Sequence, residues 1–168
     1  MVTGASVGVL IARLLLGGAL YAHGAQKLFG WFGGHGIAGT GGFFEQLGFR
    51  PGALFAAAAG LGELLGGLLT LLGLGGAVGP VLIVLVMLVA IFTVHIDKGF
   101  FASGNGWELP AMNIAAALGI AFVGNGAYSL DRVFALNFLT DPREIWIAFG
   151  CAVVVAFLNT IVRRPQRS

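Results

Sequence analysis

Val2 to Tyr21 reads VTGASVGVLIARLLLGGALY, one charged residue in an apolar run that continues into His23-Gly24-Ala25-Gln26-Lys27. A helix crossing a bilayer needs about 20 such residues. An arginine at that depth costs from about 2.5 to more than about 10 kcal/mol, depending on how it is measured. It is kept only where it faces a protein interior, a water-filled cavity or an acidic partner. Arg13 therefore marks a polar inner face on a first membrane helix and is the first candidate site residue.

The composition extends that reading to the whole chain. The 168 residues are 58% hydrophobic and 10% charged, with a mean hydropathy of +0.95, against about 25% charged residues in a soluble domain. This is the composition of an all-α integral membrane protein in contact with lipid. Basic and acidic residues nearly cancel at nine against seven, and no basic stripe is interleaved with aromatics, which excludes nucleic acid as a partner. A single cysteine, Cys151, excludes an intrachain disulfide. No charged side chain precedes Arg13, so the first run is expected to be a retained helix rather than a signal peptide.

Five apolar segments follow from the length rule, at about residues 6–25, 53–74, 78–96, 109–123 and 145–162. Pro51, Pro80, Pro110 and Pro142 stand near the starts of the last four, where proline is tolerated. The fourth segment is short and the fifth stands apart, so four spans is the alternative count. The tight turn Leu74-Gly75-Gly76-Ala77 predicts an antiparallel hairpin of the second and third. Phe43 to Arg50 mixes apolar and polar residues like a short interfacial helix, and Trp31 and Trp107 suit an aromatic belt. Glycine accounts for 29 residues, and Gly4-x-x-x-Gly8 and Gly62-x-x-x-Gly66 read as close-contact motifs.

Charge sets the orientation. With five spans, Lys27, Arg50, Lys98, Arg163, Arg164 and Arg167 lie on one side and Arg132 and Arg143 on the other, placing the C-terminus in the cytoplasm. If the last segment does not span, the balance becomes five against three and the orientation inverts.

Two constellations could carry chemistry. Counted from the helix ends, Arg13 and Glu63 fall at similar depth in antiparallel helices, which predicts a buried Arg13–Glu63 pair flanked by Gly60, Gly62, Gly66 and Gly67. Such a pair either fixes helix register alone or forms the polar floor of a pocket or part of a proton path. At one membrane edge the topology gathers His23, Gln26, Lys27, His95, Asp97, Lys98 and Glu108, with His35 and Glu45 in a nearby loop. Histidines beside carboxylates can relay protons or bond a quinone headgroup; the plainer reading is a charged interface with snorkelling lysine. No His-x-x-x-His or Glu-x-x-His spacing puts two metal ligands on one helix face, so no metal is expected. Gly4-Ala5-Ser6-Val7-Gly8 has the hydrolase spacing without the strand-to-helix elbow that motif needs.

Several stretches together resemble the DoxX family of small bacterial membrane proteins, over roughly residues 13–131. They are Arg13-Leu14-Leu15-Leu16-Gly17 leading to the run from His23 to Gly34, Gly60-Leu61-Gly62-Glu63-Leu64-Leu65-Gly66-Gly67, Gly99-Phe100-Phe101 with Gly106-Trp107-Glu108, and Gly124-Asn125-Gly126-Ala127-Tyr128-Ser129-Leu130-Asp131. The resemblance implies a four-helix transmembrane bundle, with the Arg13 and Glu63 positions turned inward, and a link to redox biology. Relatives include a subunit of a thiosulfate:quinone oxidoreductase and mycobacterial anchors of a complex with superoxide dismutase and a thiol enzyme. Residues 1–131 then form the family-like bundle, and 132–168 add a loop, a fifth C-terminal transmembrane helix and a basic tail. The expected role is a multi-pass subunit or scaffold of a redox or respiratory assembly in a bacterial inner (plasma) membrane, not catalytic by itself and without a cofactor of its own. The alternative is a quinone-binding oxidoreductase subunit using the Arg13, Glu63, His23, His95 and Glu108 groove. Protein partners in such an assembly are expected, and a homo-oligomer is compatible with the glycine faces. A small-solute transporter is disfavoured because no inverted repeat is visible.

Overall fold

Apolar runs punctuated by glycine and proline become helices in the computed structural model, which describes residues 3–163. Helix α1 spans Gly4–Phe29; the Thr3 hydroxyl caps it by accepting from the Ser6 amide, and Gly30 ends it in the left-handed conformation. A short turn leads to α2, Gly36–Gln46, and then to α3, Gly52–Leu72. Helix α4, Val78–Ala90, continues through a π turn over Ile91–His95 and a 3-10 turn over Ile96–Lys98. Helix α5 covers Glu108–Val123, α6 is the single turn Leu130–Val133, and α7 covers Pro142–Val162 with Asp141 as its N-cap. No strand occurs among the described residues.

Four stretches are long and apolar enough to cross a membrane: Gly4–Phe29, Gly52–Leu72, Val78–Lys98 and Pro142–Val162. Helix α5, with 16 residues, is roughly 24 Å long at 1.5 Å per residue, short of a hydrocarbon core of about 30 Å. It still joins the same two ends of the bundle. Its start is bonded to the loop after α4 through Glu108 N–H to the Phe100 carbonyl, and the turn after it reaches Arg13. Helix α7 runs the same way as α4: it starts beside Ala77, whose amide donates to the Leu139 carbonyl, and its end is tied to the α2–α3 loop by Arg163 Nε donating to the Leu47 carbonyl at 2.6 Å. Arg163 thus lies at the end of the bundle that also holds Lys27, Arg50 and Lys98. Arg164 and Arg167 lie outside the described residues.

The interior is formed by Leu16 and Leu20 of α1, Ile83, Val84 and Met87 of α4, Ala117 and Ile120 of α5, and Ile145 and Phe149 of α7. The outward faces are equally apolar, with Leu15, Leu61, Met112, Val154, Phe157 and Ile161 all exposed. Apolar side chains on both faces are what a helix set surrounded by lipid requires. The helix expected near Phe43 forms earlier, over α2, and lies against α3, where Phe44, Phe49 and Phe55 stack with ring centroids 5.7 and 4.9 Å apart.

Glycine places α1 on α3. A β-carbon on Gly17 would come within 2.5 Å of the Leu71 amide nitrogen; one on Gly24 would strike the backbone of Leu64 and Gly60, and one on Gly67 that of Tyr21. Gly17 and Gly24 therefore meet Gly60 and Gly67, both pairs spaced by seven residues, and the backbones touch. Gly62 and Gly66 admit Val86 and Leu82 of α4, as the contact motif predicts. Gly4 and Gly8 have nothing within 4 Å, so that motif is not a contact within the bundle. The reason is the stagger of the two helices: α1 begins well beyond the end of α3, so its first turns have no α3 beside them.

A polar-ended cavity as the candidate functional site

The same stagger decides where the charges go. Gly24 sits level with Gly60 and Leu64, so Glu63 lies opposite the later part of α1. Arg13 is eleven residues earlier on α1, roughly 16 Å away along the axis. The expected Arg13–Glu63 pair does not form. The counting that predicted it took the helix ends as flush, and they are not.

Arg13, 1% exposed, instead closes the end of α3. Its Nε donates to the Thr70 carbonyl at 3.0 Å, one terminal nitrogen donates to Leu71 at 3.1 Å, and the other donates to the Asn125 carbonyl after α5. The last carbonyls of a helix have no partner within it and form its negative end, so a guanidinium satisfies them by bonding and by charge. Gly73 makes room: it has a φ of 63°, and a β-carbon there would lie 2.6 Å from the Arg13 guanidinium carbon. The same turn binds Asp131. Its carboxylate accepts from the amides of Gly75 and Gly76, each at 2.8 Å, and from Asn125 Nδ2 at 2.7 Å. Arg13, Asn125 and Asp131 thus clamp the α3–α4 turn to α1 and to the segment after α5. Asn125 and Asp131 stand in the stretch 124–131 singled out in the sequence, yet spacing alone does not reveal that they face this turn.

Glu63, 6% exposed, pairs with Lys27 through Oε2 at 2.5 Å. Gly60 lies under the path: a β-carbon on it would be 3.3 Å from Lys27 Cβ and closer still to Leu28. The lysine therefore turns into the bundle instead of snorkelling outward. The pair stands at the polar end of a cavity of about 510 Å³ bounded by α1, α2, α3, α4, α5 and α7, a size common for small-molecule sites. Most of its wall is apolar, including Leu20, Phe44, Phe55, Val86, Leu109 and Val155.

Of the residues expected at this membrane edge, His23, Lys27 and His95 line the cavity, together with Glu63, which was expected deeper as the partner of Arg13. His23 Nδ1 is 3.1 Å from Gln26 Oε1, and Gln26 Nε2 donates to the Phe32 carbonyl, so Gln26 orients the histidine from behind. His95 Nδ1 is 2.7 Å from the Asn105 carbonyl. Each Nδ1 faces an oxygen, the Gln26 amide oxygen for His23 and the Asn105 carbonyl for His95, and donates to it, so Nε2 is the ring nitrogen left for another partner. Asp97 is exposed in the 3-10 turn after His95. Glu108 accepts from the Ala102 amide at 2.8 Å and shapes the loop before α5. Neither lines the cavity. Of the loop residues, Glu45 accepts from the Gly52 amide and His35 is exposed.

Besides the loop residue Asn105, three polar wall residues escaped the sequence reading: Thr93, Asn113 and Asn159. Each is a polar side chain inside an apolar run, which is the signal that marks it. Thr93 lies in the π turn, a feature frequent at functional sites, and its hydroxyl donates to the Val89 carbonyl at 2.7 Å. Among the described residues no three His, Cys, Asp or Glu side chains come together as a metal site would require.

The fold and this cavity define a multi-pass helical membrane protein with a membrane-embedded, polar-ended pocket. The chain belongs to the DoxX family, whose model matches residues 8–96. That match covers α1 through the π turn and ends before the α5 and Asp131 region that the sequence resemblance included. No curated protein and no solved structure matches the chain.

Proposed function

We propose that the chain is a membrane subunit of a redox or respiratory assembly in a bacterial plasma membrane, and that its cavity holds a lipid-soluble quinone. Of the two expectations, scaffold and quinone-binding subunit, the second is favoured by one observation: an apolar pocket within the bundle ends in a Lys27–Glu63 pair and is lined by two histidines. The fit is chemical. Lys27 spends one of its three N–H donors on Glu63 and keeps two for a carbonyl oxygen. The Nε2 atoms of His23 and His95 accept from a hydroxyl and can take up its proton. The ion pair is neutral in sum, which suits an uncharged headgroup. A quinone supplies the electron chemistry; the protein's groups bind, orient and exchange protons with solvent at the membrane edge. In this reading the electrons are exchanged with a partner protein of the assembly. By the positive-inside rule the end of the bundle that carries Lys27, Arg50, Lys98 and Arg163 faces the cytoplasm, and the cavity's Lys27 with it.

The test is purification of the full-length chain from its native membrane in mild detergent, with quantification of extracted quinone and of co-purifying proteins. Stoichiometric quinone, lost in a Glu63→Gln variant that still assembles, supports the reading. Quinone-free protein recovered without redox partners overturns it.

A further inference from the structure

The cavity is walled unevenly. Helix α3 packs along α1, α2 and α4, whereas α7 packs along α4 and touches α5. Helices α3 and α7 both wall the cavity, through Phe55, Ala58 and Ala59 of one and Val155 and Asn159 of the other, but do not pack along each other. In a bundle set in a bilayer, a gap between two spanning helices opens onto acyl chains. At the membrane edge the gap is bridged by Arg163 Nε on the Leu47 carbonyl, 2.6 Å. One turn deeper on the same face of the helix, the Asn159 side-chain oxygen is buried without a hydrogen-bond partner. A buried acceptor left unpaired is costly, so it points to a donor carried by whatever fills the cavity.

We propose that the cavity opens sideways into the bilayer between α3 and α7, and that its occupant is a hydroxyl-bearing amphiphile, a long-tailed quinol, whose tail leaves through that gap. Asn159 accepts from the occupant, and the Arg163–Leu47 contact closes the gap at the membrane edge. The proposal rests on reading the cavity as a ligand site, and its route is independent of the headgroup's identity. A sideways opening removes any limit on tail length, because only the head and the first part of the tail are enclosed.

The test uses the full chain in nanodiscs, with Cys151→Ser and paired Ala59→Cys and Val155→Cys substitutions bridged by a bifunctional maleimide. Two quinols with one headgroup are compared, one with a decyl tail and one with a long isoprenoid tail. Unbridged protein binds both with similar Kd; bridging weakens the long-tailed one by about tenfold or more and spares the short one. In the same assay Asn159→Leu raises Kd for both, and Arg163→Ala speeds release several-fold with little change in headgroup affinity. The proposal is overturned if bridging changes neither quinol, or if unbridged protein accepts only the short tail. If neither quinol binds, the quinone reading fails by itself. Lipids co-purifying with bridged and unbridged protein then decide the route: loss of a hydroxyl lipid on bridging upholds it, and an unchanged lipid profile refutes it.

Discussion

Lys27 at the end of α1 and Glu63 in the middle of α3 form an ion pair of 2.5 Å, the lysine reaching inward past Gly60 to a carboxylate inside the bundle. Removing one partner leaves the other charge desolvated and alone, which is worse than removing both. Lys27→Met and Glu63→Leu should each lower stability by about 3 kcal/mol, and the double variant should cost less than either. A double-mutant cycle on unfolding in detergent reads the coupling. Additive single effects would show that the pair is not formed.

Arg13→Leu should destabilise the bundle by about 2–4 kcal/mol, because the carbonyls of Thr70, Leu71 and Asn125 lose their donor together. Arg13→Lys should recover less than half of that loss, since an ammonium cannot span three acceptors as a planar guanidinium does. Thermal unfolding of the two variants side by side checks this; full rescue by lysine would mean that charge alone matters.

Asp131→Ala should loosen the α3–α4 turn by withdrawing the acceptor of the Gly75 and Gly76 amides and of Asn125. The cost is about 2–3 kcal/mol. Hydrogen exchange at Gly75 and Gly76 should rise by at least about tenfold, given that about 1.4 kcal/mol corresponds to that factor, while the amides of α7 stay protected.

Glycines should divide into two groups. Gly24→Val and Gly67→Val push backbones apart and should cost about 1–3 kcal/mol or abolish folding. Gly8→Ala meets nothing and should be neutral or stabilising by about 0.5–1 kcal/mol. Equal effects at Gly8 and Gly24 would contradict the α1–α3 contact.

Much of the architecture was legible because bilayer physics acts locally. An uncharged run of about 20 residues must satisfy its own backbone, so it is a helix wherever it packs. The spans, the Gly75-Gly76 turn and the inward-facing Arg13 and Glu63 are such local readings. So is the gathering of His23, Lys27 and His95 at one membrane edge, which follows from topology once the spans are counted. The partners of the charges were not legible. Helical periodicity says which face a side chain occupies, but the depth at which two helices meet depends on where their backbones can touch. Here Gly17 and Gly24 against Gly60 and Gly67 set that stagger. It carries Arg13 past the end of α3 to its carbonyls and leaves Glu63 to Lys27. The cavity likewise exists only because α7 packs on α4 and stands off from α3. The sequence by itself determined that this chain is a bundle of membrane helices with charges turned inward. Only the tertiary structure decided which charges meet and what space they enclose, because both depend on contacts between segments far apart in the chain.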